Sequence, residues 1–454
     1  MQTVSNLYFR KNFRTIAVLF LSACPSLYMR ISNIFLYKPL AGFDAVWHLT
    51  YITYLVKHGS LPSAYAFFEA YQPPLYYFIC SLIWRMFYGI SALAAVKAIQ
   101  SLSTAAGIII AWIVLRDVKR IHPQPFALFL CTFMFIVYLP MLIYLSPMLG
   151  NELFSALLLT IAISYLLSIL LNAQFSIKQS LILGCLSGTS LLVKYTGLLF
   201  FITVIIVLAY VMVKTPSLRK KAQKFLFCYC IMTFCIAGWW YLHNAIRYEN
   251  PLIKANDMKK FSAVYDAQPP GNHTIEDFIC FDLDIMKQPV LAIDADFDSL
   301  WQKNAYANYN RAFNSIPAGT FATAWIENHG LFLNLTKETL WKAQLVLFLA
   351  LIPTLLIFVG FVSYCNDFII HRSFLTFTIL TLLFVSVGAY LYYNYKYPYF
   401  CHVKAFFLMH LLIPVGVFHA NGISLLTCKW NTLHIFFIPF YIVFSIIITL
   451  LYSL

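Results

Sequence analysis

The stretch KAQLVLFLALIPTLLIFVGFVS, residues 342–363, decides the class of fold. Apolar runs of this kind, about 17–25 residues long, recur along the chain, and each is long enough to cross a bilayer as a helix. They do not alternate polar with apolar residues, as the strands of a membrane β-barrel do. Only 11% of the residues are charged, whereas a soluble domain carries about 25%. The sequence therefore predicts an all-α polytopic membrane protein.

Eleven membrane spans are predicted from these runs. They are residues 15–36, 95–115, 125–145, 152–171, 178–193, 195–213, 225–242, 342–363, 373–393, 402–420 and 432–453. Segment 74–90, PLYYFICSLIWRMFYGI, competes as a twelfth span, but Arg85 in its middle favours a helix that lies in the membrane interface.

The distribution of basic residues orients these spans. A net charge of +14 also suits a protein that binds nucleic acid. However, if segment 74–90 does not cross, the basic loops all fall on the side of the basic N-terminus, as the positive-inside rule requires. These loops are 116–122, 177–178, 213–224, 371–372 and 428–430. We therefore predict that they are cytoplasmic and that nucleic acid is not a partner.

This orientation divides the chain into three parts. Residues 1–242 form a transmembrane module that includes an external loop, 37–94. Residues 243–341 form a long external hydrophilic segment with two glycosylation-type sequons, at Asn272 and Asn334. Residues 342–454 supply the C-terminal spans.

Acidic residues are rare in the N-terminal module. Its four acids are Asp44, Glu69, Asp117 and Glu152. Asp117 lies in the basic loop RDVKR, where we expect a solvated ion pair. The other three fall at the predicted external boundary, on three separate segments. Because ionisable groups at membrane depth are costly and are kept where they pair or act, these three carboxylates predict a shared site.

Each of these residues also has a simpler interpretation. Asp44 could cap the helix that follows it, and Glu152 with Asn151 could cap the span that begins there. Glu69 could simply be a solvated residue of a loop. His48, one helical turn after Asp44, could hydrogen-bond to that carboxylate or ligate a metal.

Basic and amide side chains are predicted at the same external boundary. The motif LLVKYTG places Lys194 and Tyr195 between two apolar runs, where the lysine either snorkels to lipid headgroups or binds an anionic ligand. His243 and Asn244 follow the aromatic end of span 225–242, in AGWWYLHNAIRYENPL. We predict that these polar residues face the external side.

Five motifs in this order resemble the polytopic glycosyltransferases of the GT-C type. They are GFDAVWH at 42–48, YQPPLYY at 71–77, SPMLGNEL at 146–153, SGTSLLVKYTGL at 187–198 and the GWWYLHN…NPL exit at 238–252. The similarity is greatest to the group of protein O-mannosyltransferases and the enzyme that adds aminoarabinose to lipid A. It covers about the first 255 residues.

The resemblance implies a reaction. Such enzymes move a sugar from a polyprenyl-phosphate carrier to a hydroxyl or amine of a lipid, protein or glycan acceptor on the external face, usually with inversion. It implies Asp44 as general base, Lys194 with Lys404 second as the cation for the leaving phosphate, and Glu152 as an orienting acid. His48, Glu69, Asn151, Tyr195, His243 and Asn244 would bind substrate. No cofactor is required, and a divalent metal remains compatible with the acids.

The chain departs from the family pattern at three places. The second acid of the usual acidic pair is Ala45, His243 stands where arginine is usual, and HVKAFFLMHLLIP at 402–414 keeps Lys404 but lacks the arginine. The breadth of the family favours a bacterial inner membrane with the site outside. Two other classes stay open: a transporter or flippase of a polyprenyl-linked lipid, and a membrane scaffold without catalysis.

Overall fold

The computed structural model describes residues 2–261, 273–291, 310–333, 335–430 and 432–454. Within these ranges the protein is α-helical, with short 3₁₀ turns and no strand. The helices before residue 250 are α1 (Gln2–Leu36), α2 (Ala45–His58), α3 (Leu75–Tyr88), α4 (Ala92–Ile121), α5 (Phe126–Val137), α6 (Pro140–Tyr144), α7 (Glu152–Leu171), α8 (Ile177–Leu191), α9 (Gly197–Lys214) and α10 (Arg219–Tyr248). Those after it are α11 (Ile275–Ile279), α12 (Asp284–Lys287), α13 (Ile316–Trp325), α14 (Leu340–His371), α15 (Phe374–Lys396), α16 (Leu412–Lys429) and α17 (Leu433–Tyr452). Asn272 and Asn334, the two sequon asparagines, lie outside the described residues.

Nine helical segments of the described chain are long and apolar enough to cross a membrane. They correspond to nine of the eleven predicted spans, so the all-α polytopic class is confirmed. The other two predicted spans form shorter helices: 125–145 is divided between α5 and α6, and 178–193 forms the 15-residue α8. Segment 74–90 folds as α3, whose 14 residues are too few to cross a bilayer.

A proline divides span 125–145, and a buried arginine compensates for the break. Pro140 begins α6 and cannot donate a backbone hydrogen bond, so carbonyl groups before it lose their helical donors. Arg30 of α1 donates to the carbonyl oxygens of Leu142 at 2.6 Å and Val137 at 3.1 Å. Ser26 also donates to Val137. These donors provide the carbonyl groups at the helix break with hydrogen bonds from within the protein, because lipid offers none.

Close helix contacts hold the C-terminal spans together. A methyl group added at Gly360 of α14 would lie 1.8 Å from the carbonyl oxygen of Phe418 on α16. One added at Gly422 would lie 2.0 Å from the carbonyl oxygen of Leu356. Lipid supplies no hydrophobic force between helices, so such small residues stabilise them by letting the backbones pack closely.

The two ends of the helical bundle differ in how they carry charge. At one end, which we call the basic end, lie the connections after α4, α7, α9, α14 and α16. Asp117 corrects one prediction there, because it is a buried residue of α4 rather than part of a solvated loop. Arg116 contacts its carboxylate at 2.8 Å. The opposite end, the cavity end, holds the candidate site.

Candidate active site

A cavity of about 380 Å³ opens at the cavity end of the bundle. The turn before α2, the loop between α2 and α3, the start of α7 and the α8–α9 connection form part of its wall. The last half of α15 and residues 400–408 close the other side. Eight of the ten predicted site residues line it: Asp44, His48, Glu69, Asn151, Glu152, Lys194, Tyr195 and Lys404.

Asp44 occupies an uncommon backbone conformation at the edge of this cavity. Its φ of 53° lies in the left-handed region, which few residues other than glycine adopt. It precedes α2 but its side chain makes no capping hydrogen bond. The helix-cap interpretation therefore does not account for the carboxylate, which is exposed to the cavity and has no hydrogen bond or ion pair within the described part of the chain.

The surroundings of Asp44 raise the pKa of its carboxyl group. Desolvation by the protein around the cavity is the largest cause, and the negative charge of Glu152 acts in the same direction. Lys404 and Lys194 oppose the shift because their positive charges stabilise the carboxylate. A carboxylate of raised pKa is a stronger base than an ordinary aspartate.

Glu69 is a buried carboxyl group close to Asp44. Burial, followed by the charge of Asp44, raises the pKa of Glu69 to about 8, although a hydrogen bond with Gln72 opposes the shift. One of its oxygens is buried without a hydrogen-bond partner among the described residues. At neutral pH Glu69 therefore holds a proton.

His48 and Asn151 are the neutral polar groups of this wall. The Nδ1 of His48 lies 2.8 Å from the Tyr77 hydroxyl, and burial lowers the pKa of His48 to about 3, so the ring is neutral. Asn151 donates to Gln72 at 3.4 Å, but its amide oxygen is buried and no described donor contacts it. Asn151 precedes α7 and its side chain makes no capping hydrogen bond, so its side-chain amide oxygen is available to a ligand.

The two predicted cations have different surroundings. Lys194 forms an ion pair with Glu152 across the start of α7, so neither the snorkelling nor the free anion-binding interpretation describes it fully. Lys404 is buried, with Nζ 3.9 Å from the centre of the Phe43 ring and 5.3 Å from that of Phe406. Among the described residues no acceptor hydrogen-bonds to the Lys404 ammonium. Lys404 is the cation more available to an anionic ligand.

His243 and Asn244 are not brought to the cavity. Helix α10 continues to Tyr248 instead of ending at residue 242, so both residues lie on a helix rather than in a loop. His243 is exposed and stacks on Trp240, with ring centres 6.2 Å apart. Asn244 is buried beside Tyr195, whose own ring lines the cavity.

His329 and Lys254 are among the cavity residues that were not predicted from the sequence. His329 follows α13 and packs edge-on against Phe43, with ring centres 5.2 Å apart. Glu327 fixes this loop, because its buried carboxylate accepts from the backbone nitrogens of His329 at 2.8 Å and Phe332 at 3.0 Å. Lys254 enters the cavity from the segment that follows α10. Their loops have no periodic pattern, so the sequence carries no signal for them.

The described side chains do not form a group of three or more histidine, cysteine and acidic residues that could hold a metal ion. Glu152 is already paired with Lys194, and Glu69 is buried in its protonated form. A divalent metal therefore stays an untested prediction, as does the absence of any cofactor.

Fold and cavity together define a class: an all-α, multi-pass membrane protein whose ionisable residues converge on one cavity at one end of its bundle. Among solved structures it is similar to the oligosaccharyltransferase AglB of Archaeoglobus fulgidus in complex with an inhibitory peptide and a dolichol-phosphate. The TM-score is 0.55, and the sequences are 13% identical over 98% of this chain and 56% of AglB. The same enzyme with Zn and sulfate gives a TM-score of 0.54 and 15% identity over 96% and 53%. The chain thus spans a little over half the length of AglB.

A lower similarity, with a TM-score of 0.41 and 12% identity over 93% of this chain and 79% of that one, is found to ArnT of Cupriavidus metallidurans in the apo state. No family model and no curated protein matches the sequence. The resemblance to GT-C enzymes that the sequence motifs indicate is confirmed as a likeness of fold.

Proposed function

We propose that this protein is a membrane glycosyltransferase that moves a hexosyl or pentosyl group from a polyprenyl-phosphate donor to an acceptor hydroxyl or amine. One observation carries the proposal: the Asp44 carboxylate and the Lys404 ammonium line the same cavity, and neither has a hydrogen-bonding or ion-pair partner among the described residues. Sugar transfer from a phosphate needs a base for the acceptor and a positive charge for the leaving group. The AglB structure with dolichol-phosphate supports a lipid-linked donor.

Asp44 acts as the general base in this proposal. The acceptor oxygen or nitrogen attacks the anomeric carbon and forms the new glycosidic bond, while its proton passes to the Asp44 carboxylate. The bond between that carbon and the phosphate oxygen breaks, and its electron pair leaves with the polyprenyl phosphate. Attack from the face opposite the phosphate inverts the anomeric configuration. The raised pKa of Asp44 favours the proton transfer.

Lys404 stabilises the phosphate as it leaves. Its ammonium is held in the cavity by aromatic faces and gains a hydrogen-bond acceptor when a phosphate binds. Lys194 contributes charge at longer range, since Glu152 neutralises it locally and orients it. The sequence placed Lys194 first and Lys404 second, and the ion pair is our reason to reverse that order.

Neutral polar groups of the wall bind sugar hydroxyls. The side-chain amide oxygen of Asn151, which has no donor among the described residues, accepts from a hydroxyl, and the protonated Glu69 donates to one. The neutral ring of His48, fixed by Tyr77, completes this set. No metal is required by these steps.

The proposed site faces outward in a bacterial inner membrane. The basic connections lie at the opposite end of the bundle from the cavity, and the positive-inside rule assigns such connections to the cytoplasm. Acceptor and donor lipids would then meet on the external leaflet.

Purified protein in lipid nanodiscs tests the proposal with radiolabelled undecaprenyl-phosphate sugars and a panel of lipid, peptide and glycan acceptors. We expect transfer by the wild-type protein and loss of transfer by Asp44→Asn at unchanged donor binding. Movement of the donor between leaflets without transfer would instead identify a flippase. Neither transfer nor movement, with any donor, would identify a scaffold.

A further inference from the structure

A second group of donors without acceptors lies on the loop side of the cavity. Lys254 and Asn256 belong to the segment that follows α10, and both line the cavity wall. The amide nitrogen of Asn256 is buried and has no hydrogen-bond partner within the described ranges. A buried donor without an acceptor costs about 1–3 kcal/mol, so this amide nitrogen in the cavity wall favours a ligand that offers an oxygen there.

The Lys254 ammonium is held against aromatic rings rather than by an acid. Its Nζ lies 4.7 Å from the centre of the Tyr393 ring and 5.3 Å from that of Tyr397. The nearest acid, Asp257, accepts from the Tyr397 hydroxyl at 2.6 Å and contacts Lys396 at 3.6 Å. Asp257 is therefore already engaged, and burial lowers the pKa of Lys254 to about 8. An anionic ligand would restore the full charge of this lysine.

The position of the segment after α10 indicates which substrate carries the anionic group. Ile253, Met258 and Phe261 pack with Ala64 of the loop between α2 and α3, and Lys260 donates to the Tyr65 carbonyl oxygen at 3.0 Å. The segment thus covers the cavity beside the loop between α2 and α3, and Lys254 reaches the end of α15 that carries Tyr393. A polyprenyl chain has to remain among the spans, in lipid. Because Lys404 serves the donor phosphate in the proposed function, we assign a group that contacts Lys254 to the acceptor.

We propose that Lys254 and Asn256 form a subsite for an anionic group, a phosphate or a carboxylate, of the acceptor. This inference rests on the proposed function. The cavity then has two anion positions: Lys404 for the phosphate of the donor and Lys254 with Asn256 for the acceptor. Asp44 acts as the base when the acceptor reacts with the donor. An acceptor without a negative charge would leave the position at Lys254 and Asn256 empty.

Competitive amine labelling tests the subsite without any transfer reaction. The protein in nanodiscs is acetylated with acetic anhydride at about pH 8, near the pKa at which Lys254 is reactive, and each lysine is quantified by peptide mass spectrometry. Inorganic phosphate, acetate and undecaprenyl phosphate are the three probes, each compared with chloride at equal ionic strength. Lys57, an exposed lysine of α2 outside the cavity, is the control.

We expect phosphate or acetate to slow acetylation of Lys254 but not of Lys57, and the stronger of the two identifies the preferred group. Undecaprenyl phosphate should protect Lys404 and leave Lys254 reactive. Two results would overturn the inference: no protection of Lys254 by either small anion, or protection by undecaprenyl phosphate, which would assign this position to the donor. Neither result depends on whether the protein transfers a sugar.

A kinetic experiment adds a substrate readout. Lys254→Met should raise KM for an acceptor that carries a phosphate or carboxylate by about ten- to a hundred-fold, the range expected for a charge-assisted hydrogen bond. Its kcat, and the KM for the donor, should stay near the values of Lys57→Met. Equal use of charged and neutral acceptors by the wild-type protein would overturn the subsite while leaving the proposed transferase intact.

Discussion

The basic end and the cavity end of the bundle both carry charge, but under different physical conditions. At the basic end Lys178, Lys220, Lys221 and Arg372 are exposed, and water stabilises their charges. The one buried acid there, Asp117, is paired with Arg116. At the cavity end Lys404 and Glu69 are buried and Asp44 has no ion-pair partner among the described residues. Buried or cavity-facing ionisable groups without an ion pair mark the end where chemistry is expected.

The largest expected difference between the two ends comes from replacing one aspartate at each end. Asp44→Asn removes the proposed base and should lower kcat by about 10²–10⁴-fold, the contribution of a positioned general base. Asp117→Asn alters a buried acid at the basic end and should change stability without changing kcat per folded protein. Single-turnover transfer rates and thermal unfolding, measured on both variants, separate the effect on catalysis from the effect on stability. Equal kcat losses in the two would mean that burial, not catalysis, explains Asp44.

Replacement of two lysines gives the next largest difference. Lys404→Met should lower kcat by about 10²–10³-fold, because the leaving phosphate loses its preorganised positive charge. Lys221→Met, at the basic end, removes an exposed charge and should leave kcat unchanged. Steady-state transfer rates at saturating donor check both. A Lys404→Met variant that retained full kcat would assign the phosphate to Lys194 instead.

The pH dependence of activity and stability tests the role of Glu69 at the cavity end. As pH rises through about 8, Glu69 ionises beside Asp44, and the second negative charge should lower kcat/KM several-fold. Folding stability should also fall as pH rises from the ordinary range of a glutamate towards 8, because the folded state binds the proton more tightly than the unfolded state.

Glu69→Gln carries no titrating group, so both the alkaline loss of activity and this fall in stability should disappear. Profiles of kcat/KM and of unfolding temperature between about pH 6 and about pH 9.5 provide the measurement. An unchanged alkaline limb in Glu69→Gln would assign it to another group.

The smallest expected effect concerns the support of the cavity wall. Glu327→Gln replaces a carboxylate that accepts from two backbone nitrogens with an amide that accepts through one oxygen. We expect a loss of about 1–3 kcal/mol in unfolding free energy and only a few-fold decrease in kcat, through displacement of His329. Glu338→Gln, an exposed acid of the same region, is the control. A loss of kcat as large as that of Asp44→Asn would make Glu327 part of the chemistry.

Hydropathy alone predicts much of the fold, because a membrane span has to be apolar over its whole length. It does not predict the break between α5 and α6, since the compensating donor, Arg30, lies more than a hundred residues away. It also ends α10 too early, because polar residues such as His243 are tolerated on an exposed helical face beyond the apolar run.

The candidate site is predictable where charge is rare. Asp44, Glu69 and Glu152 are prominent in the sequence because the spans around them contain almost no other acids. Lys254 and Glu327 lie in a segment rich in charged residues, where single residues do not stand out. The pairing of Lys194 with Glu152 depends on two helix ends that meet only in three dimensions.

Cryo-electron microscopy of the protein in nanodiscs with undecaprenyl phosphate tests the central claim most directly. We predict density for the phosphate in the cavity, in contact with the Lys404 ammonium and beside the Asp44 carboxylate, with the polyprenyl chain leaving between the spans. Phosphate density elsewhere, for example against the exposed lysines of the basic end, with an empty cavity, would contradict the account.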